Sequence, residues 1–260
     1  MNPFKTLFIF NIRHFKVRHI LAALFLFVML TALTIKTMAS HSSLTDAVVY
    51  HFGIFSATHY GYLLIIKLLM PHLIFMYFVE KYVTGNVIGN SAYLLLRIRN
   101  LKMWVLSHIT VLLTVTILYY SLYNVTSWLI IRCFFHTNKL TLSFLNEELG
   151  QGKPINLIPL FFSVLMLQIF GAVALSLLQT VIHFLIKAPN IAYITICILF
   201  LINVSVGHVN IWLGSFFTLG KYPLLTGPFS ESTFYLFFLV QLAVSTLCSF
   251  VIYWKIRRLY

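Results

Sequence analysis

Six stretches of about 20 or more residues run almost without charge, which is the length a helix needs to cross the hydrocarbon core of a bilayer. One of them reads Leu-Ala-Ala-Leu-Phe-Leu-Phe-Val-Met-Leu over residues 21–30. The stretches lie at about 20–38, 60–79, 104–128, 158–186, 191–213 and 233–254. Tyr60, Trp104, Trp128, Trp212, Tyr235 and Trp254 stand near their ends, where an amphipathic ring can sit at the headgroup level. Composition leaves no soluble alternative. Hydrophobic residues make up 60% of the chain and charged residues 9%, against about a quarter charged in a soluble domain. That is too little polar surface for a globule in water and too much hydrophobicity for disorder. The expected fold is an all-α integral membrane protein with six transmembrane helices in a single domain, 1–260. No small-residue cleavage site follows the first stretch, so it is expected to stay as a span.

Six spans sort the charge. The chain has 18 Lys and Arg against five acids, a net of +13. In a soluble protein that balance would suggest nucleic acid; here it is expected to mark the cytoplasmic side. With both termini inside, the inner segments collect Lys5, Arg13, Lys16, Arg18, Lys81, Arg97, Arg99, Lys102, Lys187, Lys255, Arg257 and Arg258 against Glu80 alone. The outer segments hold Lys36, Arg132, Lys139, Lys153 and Lys221 against Asp46, Glu147, Glu148 and Glu231. Lys67 falls inside the second span. The surplus is therefore mostly topological, and no nucleic-acid partner is expected.

Ahead of the first span, Phe4, Leu7, Phe8, Ile12 and Phe15 recur at helical spacing, with Lys5, Arg13 and Lys16 on another face. This predicts an interfacial helix over 3–18, its cations near lipid phosphates. Residues 138–149, in the long outer loop, are read as a possible short surface helix. The segment 214–232 is too apolar for an exposed loop, with Phe216, Phe217, Leu219, Leu224 and Leu225 among its glycines and prolines. An extracellular re-entrant hairpin before the last span is expected there, since such backbone is tolerated when buried in protein or lining water.

The loop 80–103 is the longest cytoplasmic segment. Asn90 or Ser91 can cap a helix beginning near Ala92. Tyr93, Leu94, Leu96 and Leu101 supply apolar contacts, and Arg97, Arg99 and Lys102 a basic end. A short amphipathic helix of this kind anchors to the membrane or docks into a soluble partner. Gly85 and Gly89 are read as turn residues leading out of the bilayer.

Six spans, an amphipathic N-terminal helix and an acid, glycine and basic loop after the second span resemble the permease of a type-2 ABC transporter. The likeness is greatest to the small permeases of low-GC Gram-positive bacteria, many of them linked to export of, or immunity to, antimicrobial peptides. In that family a Glu ends the second span, a Gly follows about five residues on, and a short coupling helix comes before an Arg and a Lys that lead into the third span. The matching positions are Glu80, Gly85, the segment 93–96 with Tyr93 and Leu94, Arg97 or Arg99, and Lys102. Where the family usually has Ser-Pro, this chain has Asn90-Ser91-Ala92-Tyr93. The resemblance implies a cytoplasmic coupling helix docked on a separate ABC ATP-binding subunit. It implies a second permease copy, as homodimer or related heterodimer, and a place in the bacterial cytoplasmic membrane. ATP and Mg would belong to the partner subunit, and no cofactor to this chain. The sequence has no GxxxxGK[ST] loop; Gly150-Gln-Gly-Lys153 is not one.

Ionisable groups at membrane depth are functional candidates by default. Lys67 either reaches the interface along its stem or faces a pathway or dimer seam beside the kink that Pro71 would give. In the fourth span Gln168, Ala172, Ser176, Gln179 and His183 fall along one stripe, read as an interhelical hydrogen-bond seam or, second, as a substrate path. Gln241 and Ser245 in the sixth span invite the same reading. His108 and His183 are expected in the headgroup layer. Cys133, Cys197 and Cys248 are read as packing residues, and the histidines show no zinc spacing. An enzyme is not expected. Glu147-Glu148 lacks the arginine of a prenyl-protease-like element, since position 152 is Gly, and Gly214-Ser215 is followed by Phe216 rather than a rhomboid glycine. A non-transporting immunity or scaffold protein is the remaining alternative.

Overall fold

The computed structural model describes residues 3–13, 15, 17–38, 43–52, 62–89, 100–135, 157–186, 190–205 and 231–259. Every regular element among them is a helix. In chain order these are α1 (Pro3–Ile12), α2 (Val17–Thr37), α3 (Leu44–Phe52), α4 (Tyr62–Tyr82) with a π-helical continuation (Val83–Ile88), α5 (Leu101–Phe134), α6 (Leu157–Ile186), α7 (Ile191–Ser205) and α8 (Glu231–Leu259). Among the described residues four helical stretches are long and apolar enough to cross a membrane: Arg18–Thr37, Leu101–Phe134, Val164–Ile186 and Phe238–Arg257. The chain is an all-α, multi-pass membrane protein. The other expected spans coincide with α4 and the first part of 191–213 with α7. The segment 90–99, and with it Tyr93, Leu94, Arg97 and Arg99, lies outside the described residues; so do 136–156 and the hairpin segment within 206–230.

Helix α6 is the centre of the bundle. The window Val164–Ile186 is 72% buried inside the protein, against 28% for the window in α2 and 22% for that in α8. It packs on α4, α5, α7 and α8. Helix α5 forms the second pillar and touches α1, α2, α3, α4, α6 and α8. Its composition is turned inside out. Ser107, His108, Thr116, Tyr119, Tyr120, Tyr123, Asn124 and Ser127 are buried, while Leu106, Leu113, Ile117, Leu118, Val125 and Leu129 point outward. Lipid solvates the aliphatic face at no cost, so polar side chains gain most by turning to one another. On α2, Leu21, Phe25 and Met29 make the same outward stripe, 61%, 68% and 55% exposed.

Two elements depart from expectation. Helix α1 stops at Ile12, so 3–18 is not one helix, and it lies on α5 through buried Leu7 and Asn11. Asn11 Nδ2 donates to Ser107 Oγ at 3.1 Å, a polar anchor within the face that the apolar spacing alone marked. Helix α3 was not expected at all. It opens with a reciprocal capping box: Ser43 N–H donates to Asp46 Oδ2 at 2.9 Å, and Asp46 N–H to Ser43 Oγ at 3.0 Å.

Candidate functional site

The densest polar cluster lies at one end of α4. Glu80 is 1% exposed, and its carboxylate gathers donors from three directions. From α6, Gln179 Nε2 donates to Oε2 at 2.9 Å and also to the Met76 carbonyl at 3.2 Å. From the π-helical turn, Thr84 Oγ1 donates to Oε1 at 3.2 Å. From the start of α7, the Asn190 N–H donates to Oε1 at 3.3 Å. The Asn190 backbone has φ 70°, a left-handed conformation that Asn adopts more readily than most residues. His183 Nδ1 approaches Oε1 to 3.0 Å. The approach is off the direction of a ring hydrogen bond, so it is an electrostatic contact whose strength depends on the imidazole charge. One carboxylate thus ties α4, α6 and α7 together, using most of its acceptor capacity.

Directly after Glu80 the helix widens. Gly89 N–H bonds to the Thr84 carbonyl at 3.2 Å, five residues back, the π pattern that recurs at functional sites. Val83, Asn86 and Val87 are buried, while Thr84, Gly85 and Gly89 are on the outside. The glycines are therefore a helical continuation rather than a turn: Gly89 itself has φ −61° and ψ −41°. They are not equivalent. A Cβ on Gly89 would stand 2.8 Å from the Gly85 carbonyl oxygen, whereas a Cβ on Gly85 meets nothing within 4 Å. Asn100 caps α5 by accepting from Met103 N–H at 3.2 Å. Lys102 is exposed in the first turn of that helix.

His108 and His183 are both buried inside the protein, each 4% exposed. His108 Nδ1 is hydrogen-bonded to the Tyr82 hydroxyl and its ring meets Trp104 edge-on at 4.3 Å. Both rings meet partners on other turns or helices.

A second cluster lies where α2, α3, α4 and α5 meet. His51 on α3 is fully buried. Its Nδ1 is 2.8 Å from Thr34 Oγ1, and its Nε2 is 2.9 Å from Ser127 Oγ, which Thr31 Oγ1 reaches at 3.1 Å. A neutral imidazole, donating at one nitrogen and accepting at the other, satisfies both contacts. Burial first, and the nearby Lys67 ammonium second, hold the His51 imidazole well below the ordinary histidine range. Lys67 is 3% exposed, with its Nζ 4.4 Å from the centre of the Tyr50 ring.

Between the clusters runs a polar seam. Asn124 Nδ2 donates to Gln168 Oε1 at 2.6 Å across α5 and α6, and Tyr119 hydroxyl donates to the Pro71 carbonyl at 2.7 Å across α5 and α4. His72 bonds to the Tyr120 hydroxyl at 2.8 Å and stacks on Tyr120 and Phe200. Pro71 lies inside α4 and cannot donate to the carbonyl four residues back, that of Lys67. Of the positions singled out in the sequence, Glu80 and Gln179 are thus in direct contact, while Gln168, Pro71 and Lys67 belong to other levels of the bundle. Among the described residues no group of His, Cys, Asp and Glu could hold a metal. No family model, curated protein or solved structure matches the chain. His51, Thr34, Ser127 and Asn190 were not singled out; Ser43-Leu-Thr-Asp46 before an apolar run is the signal that would have placed His51 on a helix.

Proposed function

We propose that this chain is the membrane-spanning permease subunit of an ATP-driven ABC exporter in the bacterial cytoplasmic membrane, with six spans and both termini inside. Two permease copies would work with two ATP-binding subunits, which carry the ATP and Mg, and the cargo would be amphipathic or peptide-like. The observation that carries this reading is the Glu80 junction. A soluble subunit pressing on 90–99 would act first on the π-helical turn, then on Glu80, whose hydrogen bonds lead into α6 and α7. A buried acid bonded to three elements passes displacement on because breaking its bonds is costly, about 1.5–3 kcal/mol for each hydrogen bond to a charged group. The same junction gives the basic segment between the second and third spans a purpose that an immunity or scaffold protein would lack.

The test is assembly. An ABC ATPase encoded beside this chain is expected to co-purify with it from detergent, and to hydrolyse ATP faster in the complex than alone. Scrambling residues 93–99 should abolish both. Undiminished assembly of the scrambled chain would sink the coupling-helix assignment.

A further inference from the structure

Lys67 carries a buried amino group for which the described residues supply no acceptor. Its three N–H donors find no hydrogen-bond partner, and its one close contact is the face of Tyr50. Among the described residues, the two acids with described contacts are engaged elsewhere. Among the described residues the only ion pair is Glu80 with His183, and Glu80 lies 13 residues further along α4, about 20 Å at the rise of a helix. Asp46, on the adjoining α3, caps that helix through Ser43. His51 cannot accept from Lys67 either, because both ring nitrogens already face hydroxyls, those of Thr34 and Ser127. A buried charge without a partner is strongly unfavourable, and a methionine of similar volume would remove the burden. The position therefore makes sense if its charge is used. The surroundings narrow the ligand. Met70, one turn further along α4, faces outward, so a ligand that comes to Lys67 from that side must itself dissolve in a bilayer.

We propose that the Lys67 ammonium, backed by the Tyr50 ring, binds a single anionic oxygen group, carboxylate or phosphate, carried by an amphiphile that enters from the membrane. This is a property of the isolated chain and does not depend on a partner ATPase.

The test uses the full chain in neutral detergent at 1 M NaCl, which screens binding to surface cations far more than binding to a buried one. Retention of oleate and of dioleoyl phosphatidylglycerol is measured by native mass spectrometry, with dioleoyl phosphatidylcholine as the neutral comparison. The expected result is about one anionic amphiphile held per chain in preference to the neutral lipid. Lys67→Met should weaken that by at least tenfold, about 1.4 kcal/mol, and Lys67→Arg should largely keep it. Retention of oleate alone would identify a carboxylate ligand; retention of the phospholipid would identify a headgroup phosphate. Because it removes an uncompensated charge, Lys67→Met without ligand should unfold at the same temperature as the native chain or higher. Should it fail to accumulate, Tyr50→Leu is expected to weaken retention several-fold. No preference for the anionic probes in the native chain, or an unchanged preference in Lys67→Met, would overturn the proposal.

Discussion

Glu80 and His51 are both buried, yet they should respond differently to change. Replacing Glu80 by Gln removes the charge and one of the two acceptor oxygens that Gln179, Thr84 and Asn190 share. Hydrogen bonds to charged groups contribute about 1.5–3 kcal/mol each, so Glu80→Gln is expected to lose about 2 kcal/mol, read from unfolding of the purified chain in mixed detergent. If it also uncouples a bound ATPase while assembly persists, the junction transmits motion as well as holding the helices. His51 is the pH-sensitive position. Its imidazole is neutral in the fold and held well below its ordinary range, whereas in the unfolded chain it takes up a proton near pH 6.5. The unfolded state then binds more protons, so stability is complete above about pH 6.5 and declines as pH falls below it. His51→Gln keeps a donor and an acceptor for Thr34 and Ser127. It should show a flatter decline in apparent melting temperature between about pH 7 and pH 5; an identical slope would mean that other groups set it.

The π-helical turn makes the sharpest claim about a single element. Resemblance to a transporter family directed attention to Gly85, but geometry selects Gly89, four residues on. Gly89→Ala must push the segment apart, because its Cβ would sit 2.8 Å from a backbone oxygen that cannot turn away. Overpacking of this kind typically costs about 1–3 kcal/mol. Gly85→Ala, in open space, should be neutral or slightly stabilising, since alanine favours the helix. Thermal unfolding of the two variants side by side decides between them, and equal effects would remove the steric argument. This element also marks what sequence could and could not convey. Apolar run length placed α2, α4 and α6 to within about three residues at each end and α5 and α8 to within about six. The pattern in the fourth span identified Gln168 and Gln179 as facing inward. A π turn leaves no such trace: Gly85 and Gly89 are equally consistent with a loop, and only the Gly89 N–H bond to Thr84 distinguishes them. Helix α3 was legible from its capping box, but its nine residues are too short to stand out by hydrophobic periodicity.

Across the whole bundle, the arrangement follows from one rule applied in opposite directions. In water a helix hides its apolar face; here α5 hides a largely polar one, and α6, at the centre, buries polar and apolar residues alike. What no local pattern could disclose is which inward groups meet. Asn124 and Gln168 are 44 positions apart, Thr31 and Ser127 96, Asn11 and Ser107 96. Each was visible as a polar residue in an apolar helix, and none carried its partner's address.

Those separations also set a clock. The groups on α6 and at the start of α7 that meet the Glu80 carboxylate, on Gln179, His183 and Asn190, follow it by 99, 103 and 110 residues. At a synthesis rate of about 5–20 residues per second, α4 must wait roughly 5–20 s before α6 and the start of α7 exist at all. During that interval its carboxylate must be solvated by water or by Thr84, so the junction of α4 with α6 and α7 closes only after both have been made. The central helix of the finished protein is among the last to arrive, and the first half of the chain must remain loosely seated until it does.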